Sequence, residues 1–487
     1  MIKLQEYVED MPNISGHEAE IRKQREKTAG QQHYLARSDV DFGSVDSVFC
    51  VALHMHQPLI PAGGDNLATN EVISNLQDMW NNQGIGDNHN APVFKWCYER
   101  MGEFVPQLIG EGKSPRVMLE YSGNLLHGMR KMGLNDTFEK LHAITTNDDF
   151  NWGVEWLGCP WGHAVAPSTP VLDFRRHVEA WQHHFAAIFG MPALERVRGF
   201  SPSEMALPNH PDVAYEYIKT LTDCGYSWVL IQEHSVELPE NGHGLQQKHL
   251  PHRLVVKNSK GEEASIIALI KTQGSDTKLV AQMQPYYEAK SIGRTTLAGQ
   301  SVPPIVSQIA DGENGGVMMN EFPPKFQEAV RDSSGTNTRL VNGTEYIEYL
   351  ASIGITEKEL PACQPVHQKM IWDRMQPGDG PEKLAKVIEA CKQENHQFHM
   401  DGGSWTNDLS WVSGYENVLG PMESASSKFH EVITKPGVPS SDPRFRKALF
   451  HLMNSQTSCF RYWGQGTWTD YGVELCRRAE AILDHDF

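Results

Sequence analysis

The chain has 487 residues, 39% hydrophobic and 21% charged, enough to bury a core and to build more than one structural unit. Its formal net charge of −18 argues against nucleic acid or an anionic membrane as the main partner, because both need basic patches, and suits a neutral sugar. No run of eighteen apolar residues exists to span a membrane.

Residues 1–45 are polar and charge-rich, and they are expected to form an N-terminal extension holding at most a short helix. No basic segment followed by an apolar run opens the chain, and none of the 8 cysteines forms a Cys-x-x-Cys pair. Together these features predict a cytoplasmic protein with reduced thiols and no zinc site of that kind. From Ser47 the character changes. Val48-Phe49-Cys50-Val51-Ala52-Leu53 is a continuous apolar run, as a strand buried on both faces requires. Similar runs follow at Arg116-Val117-Met118-Leu119-Glu120-Tyr121, at Trp228-Val229-Leu230-Ile231 and at 265–270, with helix-like stretches at 172–188 and 211–224 between them. Strand alternating with helix predicts a parallel sheet, open or closed into a barrel, over residues 46–330.

After about Phe326 the strands fade. Residues 343–350 start a helix with Thr344 as its expected N-cap. Residues 381–393 carry Leu384, Val387, Ile388 and Cys391 at helical spacing behind Pro381, and Val473, Cys476, Ala479 and Leu483 form a like stripe. Residues 331–487 are therefore expected to be a helical C-terminal domain packed on the barrel. The expected fold class is α/β.

Two segments end a predicted strand with a carboxylate: Gly199-Phe200-Ser201-Pro202-Ser203-Glu204 and the run that leads to Gly274-Ser275-Asp276. The C-terminal end of a strand is where an α/β barrel keeps its chemistry, and a carboxylate pair suits cleavage of a glycosidic bond. For either residue the plain alternative is a helix cap or a surface carboxylate; Asp276 before Thr277-Lys278-Leu279 reads naturally as a cap. The first strand runs into His54-Met55-His56-Gln57-Pro58. Alternate side chains share a face, so His54 and His56 point the same way, as a metal pair, as hydrogen-bond donors to sugar hydroxyls, or as two satisfied structural histidines. Aromatic faces stack on sugars but also fill cores, so each of the 12 Trp residues reads both ways.

His56-Gln57-Pro58 resembles the opening motif of glycoside hydrolase family 57. The later motifs follow in order: Glu155-Trp156-Leu157-Gly158-Cys159-Pro160-Trp161-Gly162-His163-Ala164 resembles the second, Gly199 to Glu204 the third, Gly274-Ser275-Asp276 the fourth and Asp311-Gly312-Glu313-Asn314 the fifth. Gly403-Ser404-Trp405 and Gln456-Thr457-Ser458-Cys459 resemble segments of the family's helical part. The resemblance covers about residues 47–480. It implies an incomplete, TIM-like (β/α)7 barrel, a helical domain completing the cleft, and retaining chemistry on α-1,4-linked glucan without metal or cofactor. Carried over residue by residue, Glu204 is the nucleophile and Asp276 the acid/base. His54, His56, Trp161, His163, Glu313 and Trp405 are the substrate-binding candidates. Two departures touch specificity: Ser203 stands where the family commonly has Pro, and Lys271-Thr272 where it often has Arg-Asp.

Amylase, 4-α-glucanotransferase and branching activities share this scaffold, and the sequence does not separate them. Two rival readings are a metal-dependent polysaccharide deacetylase, whose barrel also places His and Asp at strand ends, and a non-catalytic glucan-binding protein. Oligomeric state and the role of residues 1–45, as a cover for the barrel's base or as an assembly element, stay open.

Overall fold

The computed structural model describes residues 2–272, 280–313, 322–403, 416–462 and 466–487. Seven parallel strands close into a ring: β1 Ser47–Met55, β2 Val117–Tyr121, β3 Val154–Gly158, β4 Gly199–Phe200, β5 Trp228–Gln232, β6 Glu263–Lys271 and β7 Ile305–Asp311. They pair in chain order, and β7 returns to β1 over seven residues, from Ile305 opposite Val48 to Asp311 opposite His54. The ring closes most thinly between β6 and β7, where Lys271 against Ser307 is the pairing. The expected (β/α)7 barrel is thus present.

The apolar runs form central strands because both faces are covered. Along β1, Val48, Cys50 and Ala52 join an inner core with Met118, Leu157, Leu230 and Leu269. Phe49, Val51 and Leu53 join the layer under the surrounding helices. Trp228 belongs to the inner core and is fully buried. A Cβ on Gly199, its register partner, would lie 2.2 Å from that indole, so β4 needs glycine there.

Helices cover the outside. They include α1 Glu18–Lys27, α2 Gly123–Lys131, α3 Val171–Phe189, α4 Pro211–Asp223, α5 Phe322–Ser333, α6 Gly343–Ser352, α7 Pro381–Glu394, α8 Glu416–Phe429, α9 Pro443–Ser455 and α10 Thr467–His485. The cap of α6 differs from expectation. Asn342 is the N-cap, in a capping box with Glu345. Thr344 instead accepts from the Trp228 indole at 2.9 Å, and both its backbone N–H and its hydroxyl donate to Glu155. Glu155 therefore sits at the closed, N-terminal end of the barrel, where burial pushes its carboxyl up to about 8 against the pull of those Thr344 hydrogen bonds.

The change of character expected after residue 330 comes later. Thr338–Leu340 pairs with the start of β1, and Ala362–Pro365 pairs with His252–Lys257, the antiparallel partner of β6. Both strands are too short to leave an apolar period in the sequence. Beyond them, α8, α9 and α10 pack on one another, and α7 closes a separate small cluster of Ile371, Leu384, Val387, Ile388 and Phe398.

Residues 2–45 are fastened to the barrel rather than trailing from it. Arg25 is 1% exposed, and its guanidinium donates to the carbonyls of Leu194, Val197, Cys224 and Gly225 at 2.5–2.9 Å. These carbonyls precede β4 and β5, so one cation ties together chain segments that enter the base of the barrel. Backbone N–H groups of His33, Tyr34 and Leu35 donate to Glu348 on α6, and Phe42 stacks on Tyr349 at 4.4 Å. Glu18 and Ser15 bond to Ser440, so the same segment also reaches the helical region. No helix among the described residues is long and apolar enough to cross a membrane.

Candidate active site

The C-terminal ends of β1, β2, β3, β4 and β7 bring seven titratable side chains to one face. Register places His54 beside Glu120 of β2 on one side and Asp311 of β7 on the other. Met55 ends β1, and His56 follows it; its backbone N–H donates to Glu313 at 2.9 Å. His163 comes from the turn after β3, and Glu204 from the turn after β4.

The three histidines stack. His163 lies 4.1 Å from His56, centroid to centroid, with planes 15° apart, and 4.6 Å from His54. Their charge states differ because their partners differ. His54 Nδ1 is 2.5 Å from Glu120 Oε2. Burial opposes charge on His54, but the Glu120 carboxylate, with help from Asp311 and Glu313, overcomes it and lifts the imidazole to about 10. Burial and the His54 charge hold His56 well below the usual histidine range. Burial, then the neighbouring histidines, do the same to His163. At neutral pH one ring is a cation and two are neutral. Glu313 is 8% exposed, and burial pushes it up to about 7 while the His54 charge pulls the other way.

Glu204 occupies a tight turn with φ 59° and ψ 21°, and Met205 follows at φ 53°. His163 is also left-handed, at φ 55°. A non-glycine residue in this region costs about 1–3 kcal/mol and persists only where its surroundings impose it. The surroundings do so here. Ser201 N–H donates to Gly158 O at 2.8 Å, Met205 N–H to Pro202 O at 3.0 Å, and Leu207 pairs antiparallel with Gly403. The strain aims the Glu204 carboxylate along the same face as the histidines. Its Oε1 accepts from Ser458 Oγ at 3.2 Å and lies 3.8 Å from His163 Nδ1, and the side chain is 18% exposed.

The helical region takes part in the site. Gln456-Thr457-Ser458, directly after α9, lies against the turn that carries His163: Thr457 pairs antiparallel with Ala164, and Ser458 Oγ is 2.7 Å from His163 Nδ1. Gln456 bridges His177 and Asp173 on α3 at 2.8 and 2.6 Å.

Of the residues singled out in the sequence, the structure brings together His54, His56, His163, Glu204 and Glu313. Trp161 is placed otherwise. Its indole is 0% exposed, packs on Phe450 and donates to His184 Nδ1 at 3.1 Å, so a sugar has no access to its face. Asp276 and Trp405 lie outside the described residues. Glu120 and Ser122 escaped sequence reasoning, and Asp311 and Ser458, though inside quoted motif segments, were assigned no role there. Glu120 carried a legible signal, a lone carboxylate near the end of an apolar run. Ser122 carried none, and for Ser458 the signal was the likeness of Gln456-Thr457-Ser458-Cys459 to a family segment. Among the described residues no three His, Cys, Asp or Glu side chains are arranged to hold a metal ion.

No protein-family model and no curated protein sequence matches this chain. Solved structures do match in fold. The 4-alpha-glucanotransferase from Thermococcus litoralis is similar over 90% of this chain and 60% of its own, with TM-score 0.55 and 13% identity. The GH57-type branching enzyme from Pyrococcus horikoshii is similar over 90% of this chain and 88% of its own, with TM-score 0.53 and 12% identity. The chain thus spans 60% of the length of that glucanotransferase, and in both cases the likeness is one of fold.

Proposed function

We propose that this protein is a retaining glycoside hydrolase or transglycosylase acting on α-1,4-linked glucan through a covalent glycosyl-enzyme. The observation that carries this reading is Glu204: a carboxylate held in a strained turn at the C-terminal end of a barrel strand, beside a stack of three histidines. The fold shared with glucan-acting enzymes and the ordered motifs support it.

In the first half-reaction a Glu204 oxygen bonds to the anomeric carbon as the glycosidic C–O bond breaks, and the leaving oxygen takes its proton from Asp276. In the second, Asp276 takes a proton from water or a sugar hydroxyl. That oxygen bonds to the anomeric carbon, the bond to Glu204 breaks, and both carboxyl groups return to their starting states. Such chemistry asks for ~5–5.5 Å between the two groups. The neutral His56 and His163 present Nε2 atoms that are buried and find no hydrogen-bond partner among the described residues, which suits them to sugar hydroxyls. Trp405 is proposed to stack on the sugar, on the strength of its motif. Water as acceptor gives hydrolysis, the default; a second glucan gives transfer.

The test is incubation with maltoheptaose, amylose and glycogen, followed by separation of products by size. Shorter sugars are expected, alone for hydrolysis or together with longer ones for transfer. A folded protein that binds these glucans and leaves all of them unchanged would overturn the proposal in favour of a binding protein. Release of acetate from an acetylated polysaccharide, lost to a chelator and restored by a divalent ion, would favour a deacetylase.

A further inference from the structure

Ser458 joins the helical region to the two groups that matter most in the barrel. Its hydroxyl lies 2.7 Å from His163 Nδ1 and 3.2 Å from Glu204 Oε1. Backbone contacts fix this position. Ser458 N–H donates to the His163 carbonyl at 3.2 Å, and Thr457 Oγ1 donates to the Gly162 carbonyl at 2.9 Å. The approach is close: a Cβ on Gly162 would lie 2.4 Å from the carbonyl oxygen of Met453 on α9. Ser458 is 1% exposed, so water does not compete for its hydroxyl.

Counting protons gives the direction of each bond. A hydroxyl carries one proton, and a nucleophilic carboxylate carries none. Ser458 therefore donates to Glu204 and accepts from His163, which must carry its proton on Nδ1. A neutral imidazole has only one N–H, so His163 Nε2 is bare and acts as an acceptor. His56 is set the other way. Its Nδ1 lies 2.7 Å from Ser122 Oγ, and that oxygen already accepts from Leu125 N–H at 3.2 Å as the N-cap of α2. In the proposed arrangement the Ser122 proton goes to His56 Nδ1, which leaves the His56 proton on Nε2.

We propose that Ser458 is a positioning residue: it holds His163 in the Nδ1–H form and orients Glu204, so that the stacked His56 and His163 offer one donor and one acceptor to a sugar hydroxyl beside the nucleophile. A hydroxyl donates once and accepts as well, so one such group matches both Nε2 atoms. Both the role in catalysis and the proton positions rest on the proposed function, because the count takes Glu204 as an ionised nucleophile; the spectrum reads the proton positions separately from turnover.

The experiment uses the full-length protein with ¹⁵N-labelled histidine, in which ring ¹⁵N shifts separate protonated from bare nitrogens. Signals are assigned by loss in His163→Gln and His56→Gln. The expected result is Nδ1–H for His163 and Nε2–H for His56. Ser458→Ala should release His163 from the Nδ1–H form, and Ser458→Thr, which keeps the hydroxyl, should retain it. Should Ser458→Ala not fold, Ser458→Cys, with a weak donor of similar size, gives the same reading. On maltoheptaose, Ser458→Ala should lower kcat roughly 10- to 100-fold, the worth of a hydrogen bond to a charged group, with Ser458→Thr restoring most of it. His163 carrying its proton on Nε2 in the parent, or keeping Nδ1–H when the hydroxyl is removed, overturns the proposal. Because the spectrum needs no turnover, a protein inactive on glucan would still decide it.

Discussion

Glu204→Gln should lower turnover on maltoheptaose by roughly 10⁴-fold or more while leaving the fold intact, a loss of about 5 kcal/mol or more in transition-state stabilisation. The substitution is nearly isosteric, and its amide oxygen can still accept from Ser458, so the turn keeps its partner. What disappears is the anionic oxygen that bonds to the anomeric carbon. Asp276→Asn should be as damaging on glucan, where the leaving oxygen needs a proton, but much less so on α-maltosyl fluoride, because fluoride leaves without one. This contrast separates the two roles. Retention of a tenth of parental activity by Glu204→Gln, or equal losses on both substrates for Asp276→Asn, would show that the assignment is wrong.

Glu120→Gln should cost about 3–5 kcal/mol of stability at pH 6, the range found when one partner of a buried ion pair is removed. His54 and Glu120 are 16% and 1% exposed at the side chain, so solvent screens the pair little. The sign of the pH dependence follows from the raised His54 value. A histidine held near 10 in the folded protein, against 6.5 in the unfolded chain, contributes stability fully below about pH 6.5, and that contribution fades as pH rises through about 10. The gap between parent and variant should therefore be widest at pH 6 and close towards pH 10. Urea unfolding at pH 6, 8 and 10 measures it. A gap that does not change with pH would mean that packing, not the ion pair, is what the carboxylate supplies.

Much of this architecture is legible in the chain because burial on both faces leaves an unmistakable mark. The runs at Val48 to Leu53 and Trp228 to Ile231 had to be central parallel strands, and they are β1 and β5. β4 is different: two residues, Gly199 and Phe200, give no period, and only the motif around them located it. The short strands Thr338–Leu340 and Ala362–Pro365 left no trace either, since three or four residues cannot show an alternation. Trp161 illustrates a different limit. A Trp at a strand end serves a sugar or the core with the same apolar face, and here the His184 acceptor draws it inward. Glu120 was readable by the rule that picked out Glu204, a carboxylate at the end of a strand. Ser458 was not, because its importance comes from a contact with His163, 295 positions away in the chain. Pairings of that range are settled by how the helical region docks.

Trapping the covalent intermediate tests the central claim most directly. The protein is incubated with a 5-fluoro glycosyl fluoride of the α-gluco series, which slows the second half-reaction more than the first, then digested and mapped by mass spectrometry. The account predicts a single glycosyl adduct on the peptide that carries Glu204, absent from Glu204→Gln. An adduct on Glu120 or Glu313 instead, or turnover of glucan with no adduct at any carboxylate, would contradict it.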